Sequence, residues 1–166
     1  MIKYVPKMTN VVLEEIPDML TLAIDISNCT GLCEGCHSPF LRLDVGEELT
    51  HSAIDSLISA NFGINCFLFL GEGNDHQALM EAASYIRESY PSLALGLYSG
   101  RESVEDEIWQ VFDYVKVGPF RPSCGPLNKQ TTNQRLYKLT RNPDGSVTRT
   151  DITFRFWRRG IDPSKQ

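Results

Sequence analysis

Cys29, Cys33 and Cys36 lie within eight residues, in the stretch Ser27-Asn28-Cys29-Thr30-Gly31-Leu32-Cys33-Glu34-Gly35-Cys36-His37. Thiolates are soft ligands that select zinc, Cu(I) or iron–sulfur clusters. Spaced Cys-x3-Cys-x2-Cys, the three converge on one metal centre if the backbone wraps tightly, and Gly31 and Gly35 permit the dihedrals that wrapping needs. A structural zinc site closes with four ligands, usually from two paired half-sites, and this chain has no second Cys-x2-Cys. A [4Fe-4S] cluster normally takes four thiolates. Held by three, it keeps one iron open, as catalytic zinc keeps an open position. The rival reading is a structural zinc completed by His37 or by a distant residue.

The remaining cysteines point elsewhere. Cys66 lies in an apolar strand, where a free thiol packs as a small hydrophobe. Cys124 lies in a glycine-proline loop with Arg121 as its only strongly electropositive neighbour in sequence, which argues for packing or simple exposure over reactivity. With 166 residues and 42% apolar content, the chain reads as one domain, 1–166, with length enough for a sizeable core. Net charge is −5 with both signs scattered, which gives no basic face for nucleic acid. The start Met1-Ile2-Lys3-Tyr4-Val5-Pro6 lacks the apolar core of a signal peptide, and no apolar run approaches membrane-spanning length. The expectation is a cytoplasmic protein with no membrane partner. Thiols stay reduced in that compartment, so clustered cysteines read as metal-binding and not as disulfides, in keeping with an odd count of five.

The elements that position the cysteines follow from periodicity. Residues 10–16 alternate loosely and read as an edge strand, and 20–26 as the first firm one. Thr50 is a natural N-cap for a helix with Ile54, Leu57 and Ile58 on one face. Cys66–Leu70 is a continuous apolar run, as in a strand covered on both faces. Asp75 caps a helix reaching Tyr90, with Leu79, Ala82, Ala83 and Ile86 inward. Residues 93–98 form a strand, Ser103 caps a short helix holding Val104, Ile108, Val111 and Phe112, and Tyr114–Val117 is a further strand. Residues 121–132 read as a long loop. Strand-like segments 135–139 and 147–157 flank Asn142-Pro143-Asp144-Gly145, a hairpin turn. Strand, loop and helix in repetition predict a parallel α/β sheet with right-handed crossovers, in which function gathers at the carboxyl ends of the strands. The cysteine loop, Gly71-Glu72-Gly73, Ser99-Gly100 and Gly118 all fall at such ends, so one rim collects them.

Cys-x3-Cys-x2-Cys after the first strand resembles the cluster motif of the radical S-adenosylmethionine superfamily. Cys33-Glu34-Gly35-Cys36-His37-Ser38 is similar to one branch, the small activating proteins of anaerobic (class III) ribonucleoside-triphosphate reductase. The likeness recurs in Tyr98-Ser99-Gly100-Arg101, in Tyr114-Val115-Lys116-Val117-Gly118-Pro119-Phe120 and in Thr131-Thr132-Asn133-Gln134-Arg135-Leu136-Tyr137. It implies a small incomplete (β/α) barrel of the radical S-adenosylmethionine type with a C-terminal hairpin extension. It also implies a [4Fe-4S] cluster on Cys29, Cys33 and Cys36, with S-adenosylmethionine on its open iron. Cofactor contacts fall on Gly35, His37, Gly71, Glu72, Gly73 and Ser99. A low-potential electron donor and the glycyl-radical subunit of the reductase are the implied partners. Gly71-Glu72-Gly73 departs from the Gly-Gly-Glu or Gly-Gly-Asp of the family: Glu72 stands where the second glycine is expected, and the usual proline is missing. Either the backbone contacts survive this change of order or a neighbour such as Asp75 substitutes.

Each of these residues has a plainer reading too. His37 is otherwise a space-filling loop histidine, and Gly71-Glu72-Gly73 and Ser99-Gly100 are otherwise strand-ending turns. His51 and His76, near helix starts, read as surface residues. Arg149, Arg155, Arg158 and Arg159 are either a solvated face or a dock for an acidic partner. The functional rivals are an activase of another glycyl-radical enzyme, a small-molecule radical enzyme, and a non-catalytic zinc-stabilised binding module.

Overall fold

The computed structural model describes residues 1–157. In chain order the strands and helices are β1 (Lys3–Tyr4), β2 (Asn10–Val12), β3 (Thr21–Asp25), β4 (Glu47–Glu48), α1 (His51–Ala60), β5 (Cys66–Leu70), α2 (His76–Ser89), β6 (Ala94–Tyr98), α3 (Asp106–Val111), β7 (Tyr114–Val117), β8 (Arg135–Arg141) and β9 (Val147–Asp151). The fold is mixed α/β around a seven-stranded sheet of order β2-β3-β5-β6-β7-β8-β9. Strands β3, β5, β6 and β7 run parallel, while β2 flanks them antiparallel on one side and the β8–β9 hairpin on the other. Each strand of the sheet lies beside its predecessor, so β2 and β9 are its two edges. The pair β1–β4 forms a separate two-stranded sheet, bridged to the chain beyond β3 between Tyr4 and Ile26.

The pleat sorts the core into two layers. Leu22, Ile24, Phe67, Phe69, Leu95, Leu97, Val115 and Val117 pack with Ile54 of α1, Leu79, Ala83 and Ile86 of α2, and Ile108 of α3. All three helices therefore cover one face. The alternate residues Ala23, Cys66, Leu68, Tyr114 and Leu136 pack on the other face with Ile16, against partly buried Met19, Ile152 and Phe156. Cys66–Leu70 is buried on both faces, as its unbroken apolar run predicts. Full burial of each such Leu, Ile or Phe contributes about 1.5–3 kcal/mol.

Helix starts follow the sequence at two places. Thr50 caps α1 by accepting from the Ala53 amide at 3.1 Å, and Asp75 caps α2 through the Ala78 amide at 3.0 Å. At α3 the expectation fails: the N-cap is Glu105, without a side-chain cap, and Ser103 lies before the helix. Asp106 and Glu107 occupy its first turn and complement the helix dipole there. The first strand is shorter than residues 10–16, ending at Val12, because the chain turns inward to bury Ile16. The final strand stops at Asp151, whose carboxylate accepts from the Thr153 amide at 2.9 Å and turns the chain into a short 3-10 helix, Thr153–Phe156. The hairpin turn forms as expected, with the Gly145 amide donating to the Asn142 carbonyl at 3.0 Å. Arg158 and Arg159 lie outside the described residues. No helix among the described residues is long and apolar enough to cross a membrane.

Candidate functional site

The cysteine loop leaves the carboxyl end of β3 and is pinned by backbone bonds. Ser27 donates to Lys3, Asn28 to Leu43 and Cys29 to Leu41. Arg42 ties its middle, donating from Nε to the Gly31 carbonyl at 3.0 Å and from Nη2 to the Cys33 carbonyl at 3.2 Å. Nothing in the sequence marks Arg42 for that task. Cys29 Sγ accepts the Gly31 amide at 3.4 Å. Gly35 takes a left-handed conformation, φ +66°, as the wrapping loop requires; Gly31 does not share it. Its use is space, since a Cβ there would stand 3.4 Å from Cys29 Sγ and 3.9 Å from Cys33 Sγ. A Cβ on Gly100 would likewise stand 3.8 Å from Cys33 Sγ.

Cys29 and Cys33 open onto a cavity of about 470 Å³ that also reaches Gly71, Glu72, Gly73 and Gly100. The parallel sheet thus brings three carboxyl-end loops to one hollow. Cys33, Gly31 and Gly100 also border a second hollow of about 460 Å³, walled by Leu32, Pro119, Phe120 and Pro122. Gly35, Cys36 and His37 do not line the first cavity. The exposed His37 ring leans on Phe120, 5.2 Å between centroids. Among the described residues, no three of His, Cys, Asp and Glu approach closely enough to hold a single metal ion. What the loop offers an iron–sulfur group is three half-buried thiols, an amide aimed at one sulfur, and glycine-lined room beside two of them. That donor set and that space fit the group.

Across the cavity Glu72 is held in place. Ser99 Oγ donates to its carboxylate, and Arg101 Nε donates at 3.1 Å. Arg101 also donates to Glu105 from Nη1 at 2.8 Å, which holds the Glu105 carboxyl down at about 2 and raises the guanidinium still higher. Ser99 therefore reaches the site through Glu72. Gly73, φ +68°, sits where a Cβ would press Ile26 Cγ2 at 3.2 Å and the Ser27 carbonyl at 3.3 Å, so a side chain there is strained and crowded. Asp75 also borders the hollow, but one of its oxygens caps α2 and the other pairs with the N-terminal ammonium of Met1. His76 keeps 37% of its side chain exposed, as the surface reading expects, and it also lines the cavity and pairs with Glu105 and Glu107. Its proximity to residues 105–107 comes from the fold and has no local signal. His51 is exposed and stacks on Tyr85.

The other two cysteines lie outside the cysteine loop. Cys66 is fully buried, and burial pushes its thiol up to about 12. Cys124 is half-buried in the loop beyond β7. Below the rim, Lys116 lies in the layer opposite the helices, here the inner layer, where its Nζ donates to Gln134 Oε1 at 2.6 Å and stands 4.9 Å from the Tyr98 ring centroid. Burial pushes this ammonium down to about 8, against the opposing pull of Glu15 and Cys33. No family model, curated protein or solved structure matches the chain.

Proposed function

We propose that this chain is a radical S-adenosylmethionine activase that installs the glycyl radical of an anaerobic ribonucleoside-triphosphate reductase. One observation carries the reading: Cys29 and Cys33 share a glycine-lined cavity with Gly71, Glu72, Gly73 and Gly100 at the carboxyl ends of parallel strands. An incomplete (β/α) barrel accounts for a sheet whose strands follow in sequence and whose edges do not meet. Cys29, Cys33 and Cys36 hold the [4Fe-4S] cluster in this reading. Such a cluster would supply the electron for reductive cleavage of the carbon–sulfur bond of S-adenosylmethionine to methionine and a 5′-deoxyadenosyl radical, which would take a hydrogen atom from a glycine Cα of the partner. The chain's own residues position and enclose. Gly31 and Gly100 keep the sulfurs accessible, Glu72 offers a carboxylate to the cofactor's ammonium, and Arg101 with Ser99 fixes that carboxylate. Hydrogen-atom transfer needs no acid–base pair, and the protein's share is binding and exclusion of competing reactions.

The test is anaerobic reconstitution with iron and sulfide, followed by reductant and S-adenosylmethionine. The expected results are about four irons per chain, 5′-deoxyadenosine, and a glycyl radical signal when a class III reductase is added. Fully loaded protein that yields no 5′-deoxyadenosine sinks the proposal, and colourless protein with one zinc turns it toward a binding module. Within the proposal, Glu72→Ala is expected to weaken S-adenosylmethionine binding about 10–100-fold, the worth of a hydrogen bond to a charged group. The cofactor concentration at half-maximal change in the cluster's EPR spectrum measures this. Unchanged affinity assigns the ammonium to backbone or to Asp75 instead.

A further inference from the structure

Register puts Asp25, Leu70, Tyr98 and Lys116 side by side across β3, β5, β6 and β7, in the inner layer nearest the rim. Tyr98 spends its hydroxyl on the Glu15 carbonyl. Lys116 has a neutral amide, Gln134, and an aromatic face as close neighbours. Among the described residues the ion pairs run through other cations and none through Lys116. A cation drawn from water without a counter-charge is costly. Glu15 acts on it without forming an ion pair, and a second counter-charge is best sought directly above. The Ser99 amide donates to the Lys116 carbonyl at 2.8 Å, and the next residue, Gly100, adjoins Cys33 Sγ. Cys33 therefore sits over the same pair of strands. Of the titratable groups, Glu15 first and then Cys33 lie close enough to favour the charged form of Lys116. Lys116 does not line the cavity proposed for the cofactor, whereas Arg101 does, so a carboxylate of the cofactor is the weaker candidate.

We infer that Lys116 is the fixed counter-charge of the metal centre and raises its reduction potential. This rests on the cluster reading above. Three thiolates around a core of lower positive charge leave a net anion, and one electron accepted from a low-potential reductant makes it more negative, with no proton or bond change. A nearby cation stabilises the reduced form more than the oxidised one, and net charge and burial are among the terms that set such potentials.

The experiment is an EPR-monitored potentiometric titration of reconstituted full-length protein, comparing wild type, Lys116→Met, Lys116→Arg and Gln134→Glu at matched iron and sulfide content. Lys116→Met is expected to lower the reduced-to-oxidised ratio at a given potential about tenfold, which is about 59 mV for one electron. Lys116→Arg is expected to retain the wild-type midpoint. Gln134→Glu leaves the lysine in place and sets a carboxylate against it, and it is expected to shift the midpoint the same way as Lys116→Met, which keeps the test decisive if Lys116→Met does not fold. An unmoved midpoint in Lys116→Met, or an arginine variant that falls with it, overturns the inference. So does an unmoved midpoint with weakened S-adenosylmethionine binding, which hands Lys116 to the cofactor. Wild-type protein that takes up no cluster removes the functional reading itself. Wild-type protein that cleaves S-adenosylmethionine while Lys116→Met keeps its midpoint removes this inference alone.

Discussion

Serine at Cys33 is expected to abolish iron uptake and 5′-deoxyadenosine formation together. The sulfur of Cys33 stands beside Gly31 and Gly100, between the two hollows of the rim, in space that no side chain fills. A hydroxyl is a hard, weakly acidic ligand and does not replace a thiolate on iron. Cys29→Ser and Cys36→Ser are expected to behave alike, Cys36 included although it lies away from the first cavity, because three thiolates are the least that hold the cube with one iron open. Two controls separate ligation from general damage. Cys66→Ala removes a buried thiol whose pKa near 12 keeps it protonated, and Cys124→Ser alters a half-buried loop residue; both variants are expected to retain iron. The measurement is iron, sulfide and product per chain. Full product from Cys33→Ser ends the three-thiolate account.

The second large effect is on stability and falls at the other end of the sheet. Asp113 Oδ2 accepts from Arg87 Nη2 at 2.9 Å and from the Leu95 amide at 2.8 Å, and Oδ1 accepts from Arg141 Nη1 at 2.8 Å. Arg141 also donates to the carbonyls of Gln110, Val111 and Phe112, which are the orphan acceptors at the end of α3. One carboxylate thereby joins α2, the start of β6, the end of α3 and the end of β8. Its side chain is 21% exposed. Asp113→Ala strands two guanidinium groups and a backbone amide, and the expected cost is about 2–3 kcal/mol, below the range for fully buried pairs because water still reaches the site. Chemical denaturation of the metal-free protein measures it. Asp106, fully exposed and 3.9 Å from Arg149, provides the comparison, with an expected change within about 0.5 kcal/mol for Asp106→Ala. Equal losses in the two variants refute the claim that the network matters.

Local chemistry made the parallel strands and their helices readable. Cys66–Leu70 is apolar at every position because both its faces are covered, and Thr50 and Asp75 announce α1 and α2 through their side-chain oxygens. The cysteine loop was readable for a similar reason, since its three thiols are neighbours in the chain. Contacts made by distant residues were not. Arg101 meets Glu72 across 29 positions, and only the placement of β5 beside β6 makes them partners. Arg42 acts on the cysteine loop from a segment without periodicity. The two-residue strands β1 and β4 are too short to leave a pattern. Ser103 misled as a cap because α3 is six residues long, so a shift of two positions matters. Lys116 is masked by its own strand: alternation predicts an inward residue there, and nothing local says that an inward residue carries charge.

The proposed chemistry and the cohesion of the fold occupy opposite ends of this sheet. The loops around Cys33, Glu72 and Gly100 leave the carboxyl ends of the strands, while the Asp113 junction clasps the end where β6 and β7 begin. Mutations that reshape the upper loops therefore draw little on the clasp, and the lower clasp can be strengthened without touching a reacting atom. Such a division lets lineages explore new specificities at modest folding risk, and it offers engineers a place to stabilise the scaffold while leaving its reactivity alone.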